Sequence, residues 1–371
     1  MRRDLFVFAG QSNMVGASVF PPKYPLCTKR SYEYKHKMRR LGMPTGEFVP
    51  VGYPVGEFSY KDMDFAYSPD LVNEKGESRL NDYAVNTYFC PSMSNLKSEE
   101  DKTVFPFTKF SEADAPMGAT LAPFVANEWE KKGYACTYAH IAKGGVSIDY
   151  YFTDDMVQEY KDRIKQWNQT HGTSLNPDIS NNLRMDGAAD YFFEKCADFF
   201  SDAETAFAED NLASRCFFWL QGESDINLSA NEYKIKLEIL WERLKRTGFT
   251  HFFCLRVDFF GETNIDRIML AQEQFVNDHD DAYMLTRAAS YFLYAGRDEK
   301  DWFITQPGEE YQFCRDSFFG YPNQHINEKG FLLLAQRATQ NIVRILIRGE
   351  APMLEEENIK TLCQPKNGYH K

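Results

Sequence analysis

No apolar run in this sequence reaches the roughly 18 residues that a membrane-spanning helix needs, so no transmembrane segment is expected. The chain opens with Met-Arg-Arg-Asp and then enters a short apolar stretch, which has no room for a signal peptide with its cleavage site. These absences favour a cytoplasmic protein, or a secreted or periplasmic one if a leader has been removed.

Motifs that bind metals or nucleotides are missing as well. H-E-x-x-H does not occur, the phosphate-binding order G-x-x-x-x-G-K-[ST] does not occur, and the sequence has no tight cluster of His, Cys and Asp. We expect neither a metal nor a nucleotide cofactor. None of the eight cysteines belongs to a C-x-x-C pair, and a chain of 371 residues can fold without a disulfide framework. The cysteines are therefore predicted to be buried thiols.

The chain has a formal net charge of -12, with 43% hydrophobic residues and 31 Phe. Most of the Phe side chains are expected in a sizeable core. A negative field repels phosphates, which disfavours nucleic acids and anionic membrane surfaces as main partners. The oligomeric state is left open.

Five short apolar runs are typical of buried parallel strands, and helical patterns separate most of them. This alternation predicts an α/β fold with a parallel sheet and helices on both of its faces. The expected strands are Leu5–Ala9, Thr137–Ala142, Cys216–Leu220, Phe252–Val257 and Tyr283–Thr286. The expected helices are Leu121–Lys131, Ala188–Phe207, Glu232–Lys245, Arg267–Asn277 and a last helix from about Asn327 to Arg348.

Three long segments, at about 17–115, 146–185 and 290–324, do not follow this rhythm. Compact domains seldom carry loops of this length without a function, and in an open α/β sheet the ligand crevice lies at the carboxyl ends of the strands. We expect a single domain over 1–349, with these three insertions forming the walls of a site, followed by a tail at 350–371.

Ser12 follows the first predicted strand, in the run Gly10-Gln11-Ser12-Asn13-Met14. A serine at the end of a strand is typical of a nucleophile on a rigid support, although an ordinary turn is the more common explanation of such a residue taken alone. The α/β-hydrolase elbow G-x-S-x-G would need a glycine where Met14 stands, so that motif is excluded.

Three further polar clusters follow predicted strands or precede the last helix. Gly145 could aim a backbone N–H at a ligand, Gln221 could donate its side-chain amide, and Glu223 could orient a partner. His325 could serve as a base. Taken singly, these residues have ordinary explanations as a glycine turn, a polar strand end and a structural histidine. Together with Ser12 they supply a nucleophile, donors and a base, which is the constellation for acyl transfer.

The order of these motifs resembles the SGNH hydrolase superfamily. Within it, the chain is similar to the sialate O-acetylesterase and acetylxylan esterase branch, which is carbohydrate esterase family 6-like. The resemblance is carried by G-Q-S-N-M, A-K-G-G-x-S, W-x-Q-G-E-S-D and a late His before the last helix. It implies a three-layer α/β/α sandwich with a five-stranded parallel sheet.

The resemblance also implies roles for individual residues. Ser12 would attack an ester carbonyl, and His325 would act as general base and then as the acid for the leaving alcohol. The backbone amides of Ser12 and Gly145, with the Gln221 side chain, would form the oxyanion hole. Each lost donor should cost about 3 kcal/mol of transition-state stabilisation.

One position departs from the family pattern D-x-x-H, because Pro322 stands three residues before His325. Three explanations are open. The Pro322 backbone carbonyl could hold the histidine ring in a Ser–His dyad, or another acid such as Glu223 or Asp316 could replace the missing Asp. The third explanation is a weakened or non-catalytic relative.

The substrate that the resemblance implies is an O-acetylated carbohydrate, either sialic acid or an acetylated plant oligosaccharide. Basic residues crowd one part of the first insertion, and we hypothesise that Arg39 and Arg40 hold an anionic sugar. A solvated loop is the alternative explanation of these residues. A lipid or small-ester esterase and a non-catalytic carbohydrate-binding protein are the competing functions.

Overall fold

The computed structural model describes residues 1–15, 28–36, 46–51, 120–143, 145–179, 187–257, 265–291, 319–320, 325–326 and 328–354. Strands and helices alternate along most of this part of the chain. The strands are β1 (Arg2–Gly10), β2 (Tyr32–His36), β3 (Gly46–Pro50), β4 (Ala135–His140), β5 (Asn211–Leu220), β6 (His251–Leu255), β7 (Ala282–Thr286), β8 (Phe319–Gly320) and β9 (His325–Ile326).

The helices lie between these strands, except for the last one, which follows β9. They are α1 (Ser12–Val15), α2 (Leu121–Lys131), α3 (Asp154–His171), α4 (Ala188–Ala206), α5 (Ala230–Thr247), α6 (Ile265–Asn277) and α7 (Glu328–Ile342), which continues as a π-helix over Val343–Arg348. Short 3₁₀ turns cover Ile148–Tyr151, Glu223–Asp225 and Ala288–Tyr291. No helix among the described residues combines the length and the apolar character needed to cross a lipid bilayer.

Seven strands of the described ranges form one sheet in the order β3-β2-β4-β1-β5-β6-β7. β2, β4, β1, β5, β6 and β7 run parallel, and β3 pairs antiparallel with β2 at one edge. The chain leaves the central strand β1 to build one side of the sheet and later builds the other side. A reversal of strand order opens a crevice at the carboxyl ends of the strands. β1 ends there at Gly10, two residues before Ser12.

The predicted α/β class is confirmed, but the predicted number of five parallel strands is wrong. The sheet has six parallel strands and one antiparallel strand among the described residues. The additional strands β2 and β3 lie within the segment 17–115 that was expected to be an insertion. Their sequences, Tyr-Glu-Tyr-Lys-His and Gly-Glu-Phe-Val-Pro, contain no continuous apolar run. β3 is the edge strand and β2 lies next to it, and short strands in this part of a sheet do not need one.

The expectation of a loop over 146–185 is wrong where α3 lies. The helix has 18 residues, of which only Met156, Tyr160 and Ile164 are buried. These three side chains are spaced four residues apart and form one narrow stripe, beside which Val157 and Trp167 are partly buried, and the other side chains of the helix are polar. α3 packs against α5 along this stripe. Such a thin apolar stripe is a weak periodic signal in the sequence.

Aromatic side chains fill both faces of the sheet. Phe217 and Phe218 are neighbours in β5 and therefore point to opposite faces. The Phe218 ring lies 5.0 Å from that of Phe6 and 4.3 Å from that of Phe8, measured between centroids. On the other face, the Phe217 ring lies 6.2 Å from that of Phe192 in α4. The expectation that Phe side chains build the core is confirmed for these positions.

The helices form a layer on each side of the sheet. α2 and α7 pack against each other, and Trp129 of α2 lies 6.0 Å from the ring of Phe6. On the opposite face, Phe252 of β6 contacts Trp241 of α5 at 5.6 Å and Phe275 of α6 at 5.0 Å. Helices on both faces of a parallel sheet give the expected three-layer arrangement.

The described cysteines are buried and have no disulfide partner. They are Cys136, Cys196, Cys216 and Cys254. Burial raises the pKa of each thiol well above its usual value, so none of them is available as a thiolate. The prediction of buried thiols is confirmed for these four positions. The other cysteines, Cys27, Cys90, Cys314 and Cys363, lie outside the described residues.

Gly10 cannot be replaced without strain, because its φ is +149° and a Cβ atom there would overlap the carbonyl oxygen of Leu220. We expect Gly10→Ala to lower the free energy of unfolding by about 3 kcal/mol. Gly172→Ala is the matched control, since Gly172 has a φ of +64° with open space where the Cβ would lie. That control should cost about 1 kcal/mol. Urea unfolding of both variants measures this, and equal losses would contradict the clash.

Candidate active site

Ser12 lies at the carboxyl end of β1, half-buried, as the first residue of α1. The residues before it are held from both sides. The Gln11 N–H donates to the Leu220 carbonyl at 3.2 Å, and the Lys143 N–H donates to the Gly10 carbonyl at 3.1 Å. The N–H of a first helical residue has no acceptor inside its own helix. Ser12 therefore brings a hydroxyl and a backbone N–H to the same sheet edge.

Tyr151 fixes Gly10 from the 3₁₀ turn that follows β4. Its hydroxyl donates to the Gly10 carbonyl at 2.6 Å and accepts the Gly10 N–H at 3.1 Å. Burial raises the pKa of Tyr151 well above its usual value, so the hydroxyl stays protonated and can do both. Sequence reasoning missed this residue because it lies in a segment that was expected to be a loop.

His140, the last residue of β4, holds the end of α1. Its Nε2 lies 2.6 Å from the Met14 carbonyl oxygen, and the Thr120 hydroxyl donates to the same oxygen at 3.0 Å. A carbonyl only accepts, which places the ring proton on Nε2. Burial lowers the pKa of His140 to about 4, against the opposing effect of the bond to Met14. The ring is therefore neutral at ordinary pH and serves as a fixed donor.

The pKa of His140 gives folding stability a pH dependence. The unfolded state has the ordinary pKa near 6.5. The stability that neutral His140 contributes is thus complete above that pH and is lost as the pH falls toward 4. We expect the difference in free energy of unfolding between wild type and His140→Gln to shrink by about 2.5 kcal/mol from pH 7.5 to 4.5. Urea unfolding of both proteins measures it, and the subtraction cancels the other titrating groups. A difference that is independent of pH would contradict a neutral buried ring.

The Asn13 side chain, next to Ser12, connects the start of α1 with the 3₁₀ turn of Glu223 and with β9. It is fully buried, and its Nδ2 donates to Glu223 Oε1 at 3.0 Å. Its Oδ1 accepts the backbone N–H of Ile326 at 3.1 Å. Because Ile326 directly follows His325 in β9, the backbone of His325 lies within one residue of this contact. The structure thus brings together the segments of Ser12, Glu223 and His325. Sequence reasoning quoted Asn13 in its motif but gave it no role.

Gln221 directly follows β5 at the same sheet edge and is fully buried. Its Oε1 accepts from the Tyr233 hydroxyl at 2.7 Å. Its Nε2 lies 2.5 Å from Asp225 Oδ2, 3.1 Å from the Val146 carbonyl and 3.2 Å from Gln11 Oε1. Two amide hydrogens are shared among these three acceptors, so donation to an oxyanion requires the exchange of one bond. The predicted oxyanion role of Gln221 stays a prediction.

Gly145 lies at the sheet edge in the loop after β4. It is exposed, and its φ of +71° is in the left-handed region that favours glycine. The next residue, Val146, supplies the carbonyl that accepts from Gln221. The residue that follows Gly145 is therefore hydrogen-bonded to the loop that follows β5. Its role as a backbone donor stays a prediction.

Several predicted site groups lie outside the described part of the chain. They are Pro322, Asp316, Arg39 and Arg40, together with the side chain of His325. Their predicted roles stay predictions. Within the described ranges, no group of three or more His, Cys, Asp or Glu side chains is arranged to hold a metal ion.

Comparisons with known proteins give weak structural neighbours. No family model matches the chain, and no curated protein matches it. A protein from Arabidopsis thaliana is 13% identical with a TM-score of 0.39, and the match covers 92% of this chain and 98% of that one. A carbohydrate acetylesterase from Xanthomonas citri is 10% identical with a TM-score of 0.41, over 94% of this chain. The chain spans 57% of the length of the Xanthomonas protein.

A third neighbour is NanS, at 11% identity and a TM-score of 0.44, with 92% of this chain and 97% of that chain covered. At these identities and scores the neighbours assign no function to the chain.

Proposed function

We propose that this protein is a serine esterase that removes O-acetyl groups from carbohydrates. The buried side chain of Asn13 carries this proposal. Asn13 directly follows Ser12, and its side chain binds both Glu223 and the backbone of Ile326, the residue after His325. The Asn13 side chain thus brings together the segments of a nucleophile, a carboxylate and a histidine. This arrangement fits acyl transfer. The motif order that resembles carbohydrate acetylesterases supports the same reaction.

In this reaction the Ser12 Oγ attacks the acetyl carbonyl while His325 takes the hydroxyl proton. The negative oxygen of the tetrahedral intermediate accepts hydrogen bonds from the N–H groups of Ser12 and Gly145, with Gln221 as a further donor. His325 then gives its proton to the departing ester oxygen of the sugar, which becomes a hydroxyl, and an acetyl ester is left on Ser12. Water attacks this ester while His325 takes its proton, and His325 returns that proton to the Ser12 Oγ as acetate leaves.

Glu223 is our candidate for the acid that stabilises the protonated His325. Its carboxylate is held by Asn13, which also binds the residue after His325. The Pro322 carbonyl and Asp316 are the alternatives. The distinction matters because a charged partner stabilises an imidazolium more strongly than a neutral carbonyl does.

A charge-removing variant separates these alternatives. Glu223→Gln keeps an oxygen that can accept from Asn13 but loses the negative charge. We expect it to lower kcat on an acetyl ester by about 10²- to 10⁴-fold with little change in KM. Steady-state kinetics at pH 8 measure both constants. A kcat that is unchanged in Glu223→Gln would assign the orienting role to Pro322 or Asp316.

The proposed function is tested by acetate release from 4-nitrophenyl acetate, O-acetylated sialic acid and acetylated xylan. We expect turnover of at least one acetylated sugar by the wild type and none by His325→Ala. His171→Ala, on the exposed end of α3, is the matched control and should keep full turnover. Sugar binding without turnover would instead support a non-catalytic relative. A preference for longer acyl chains would support a lipid or small-ester esterase.

A further inference from the structure

A buried ionic cluster lies beneath the loops that follow β4 and β5. Its members are Asp149, Asp225 and Lys236, which are 2%, 4% and 1% exposed. The Lys236 Nζ lies 2.6 Å from Asp149 Oδ1. Ionised groups in a protein interior are costly unless each has close partners. The hydrogen-bond partners of Asp225 therefore indicate the role of this cluster.

One carboxylate oxygen of Asp225 accepts hydrogen bonds from two loops. Its Oδ2 accepts the Ile148 N–H at 2.9 Å and the Gln221 Nε2 at 2.5 Å. Ile148 begins the 3₁₀ turn after β4, three residues beyond Gly145, and Gln221 follows directly on β5. The same end of the Gln221 amide lies 3.1 Å from the Val146 carbonyl, and because a carbonyl only accepts, the amide nitrogen is the end that faces Asp225.

The Gln221 amide extends this connection to both predicted backbone donors. Its Nε2 lies 3.2 Å from Gln11 Oε1 and 3.1 Å from the Val146 carbonyl. Gln11 precedes Ser12, and Val146 follows Gly145. The position of the Ser12 N–H relative to the Gly145 N–H therefore depends on how the Gln221 side-chain amide is oriented.

We propose that Asp225 is a positioning residue for the oxyanion side of the site. By holding the Gln221 amide and the Ile148 N–H on one oxygen, it fixes the loop of Gly145 relative to Ser12. This inference rests on the proposed esterase function, and it adds a residue that acts through others without touching the substrate.

The charge on Asp225 changes within the range of an ordinary assay. Burial, and then the carboxylate of Asp149, raise its pKa to about 7, while Lys236 opposes the rise. The groups that face Asp225 are Asp149 from the 3₁₀ turn, Tyr160 from α3, and Tyr233 and Lys236 from α5. The ionised form is the stronger acceptor for two N–H donors. Positioning by Asp225 should accordingly weaken as the pH falls through this region.

The test compares wild type with Asp225→Asn in kcat and KM on 4-nitrophenyl acetate from pH 5.5 to 8.5. We expect the wild type to exceed the variant in kcat by tenfold or more at pH 8 and by less than threefold at pH 5.5, with KM unchanged. Asp225→Glu should restore part of the pH 8 value. Asp162→Asn is the matched control, because its side chain is 63% exposed, and it should follow the wild type at every pH. A kcat ratio that is constant over this range would overturn the proposal.

A second measurement does not require activity. Hydrogen–deuterium exchange followed by mass spectrometry reports on the peptide that contains Ile148. We expect its exchange to be at least tenfold faster in Asp225→Ala than in wild type, with α3 unchanged. If Asp225→Ala does not fold, Asp225→Asn is measured in its place and should show a smaller increase.

The two measurements separate failure of the proposed function from failure of the positioning role. A wild type without turnover on any ester would refute the esterase and with it a role of Asp225 in the reaction, whatever the exchange data show. Normal turnover with unchanged exchange at Ile148 would refute only the positioning role.

Discussion

Replacing Ser12 with alanine is expected to lower kcat on acetyl esters by about 10⁴-fold or more, which leaves turnover near the background rate. The hydroxyl is the group that forms the covalent bond, so no adjustment of the neighbouring donors replaces it. The fold should survive, because Ser12 is only half-buried and its flanks are held through backbone bonds. Thermal unfolding should give a Tm within a few degrees of the wild-type value.

A second serine at the same sheet edge provides the control for Ser12. Ser147 lies in the loop after β4 and is buried. Ser147→Ala should keep turnover within about threefold of wild type, a change of less than 1 kcal/mol in transition-state stabilisation. A fluorophosphonate probe should label the peptide that contains Ser12 in the wild type. Labelling on Ser147, or turnover retained in Ser12→Ala, would show that the nucleophile is assigned wrongly.

Lys236→Met is expected to lower the free energy of unfolding by about 3–5 kcal/mol at pH 8. The ammonium is 1% exposed, lies 2.6 Å from Asp149 Oδ1 and sits 4.8 Å from the centre of the Tyr160 ring. Its removal leaves the carboxylates of Asp149 and Asp225 buried without their compensating charge. Urea unfolding at pH 8 measures the loss.

Two further variants check this explanation. Removing the charge of Asp149 as well, in the double variant Asp149→Asn/Lys236→Met, should recover part of the lost stability because one uncompensated carboxylate is gone. Lys165→Met is the control on α3, where the side chain is 63% exposed, and it should change stability by less than about 0.5 kcal/mol. A loss below about 1 kcal/mol in Lys236→Met would mean that water reaches the cluster.

Elements with a strong apolar period were predictable from the sequence. The helix Leu121–Lys131 has the same bounds in the prediction and in the structure, and β1 contains the whole predicted run Leu5–Ala9. β2, β3 and α3 were not predictable in this way. Their stability comes from pairing at a sheet edge or from three buried side chains, and neither produces a long hydrophobic pattern.

The candidate site was predictable as a set of segments but not as a set of contacts. The rule that strand ends meet at one edge brings Ser12, Gly145 and Gln221 to the same region. The partners of Asn13, in contrast, are 210 and 313 residues away along the chain. Asp225 lay inside a quoted motif, yet its role depends on Ile148 from another loop. Such pairings arise only when the chain folds, so no local pattern in the sequence indicates them.

The central position of β1 has a consequence for how the protein is made. β1 pairs with β5 from Arg2 and Asn211 onward, so its second neighbour is synthesised roughly 200 residues later. At about 5–20 residues per second, a ribosome needs about 10–40 s to reach that point. During this interval the apolar run Leu5–Ala9 has an unsatisfied edge, which is the kind of segment that chaperones shield from aggregation. The turn of Ser12 can adopt its final geometry only after β5 has joined the sheet, because the Gln11 N–H donates to the Leu220 carbonyl at the end of that strand.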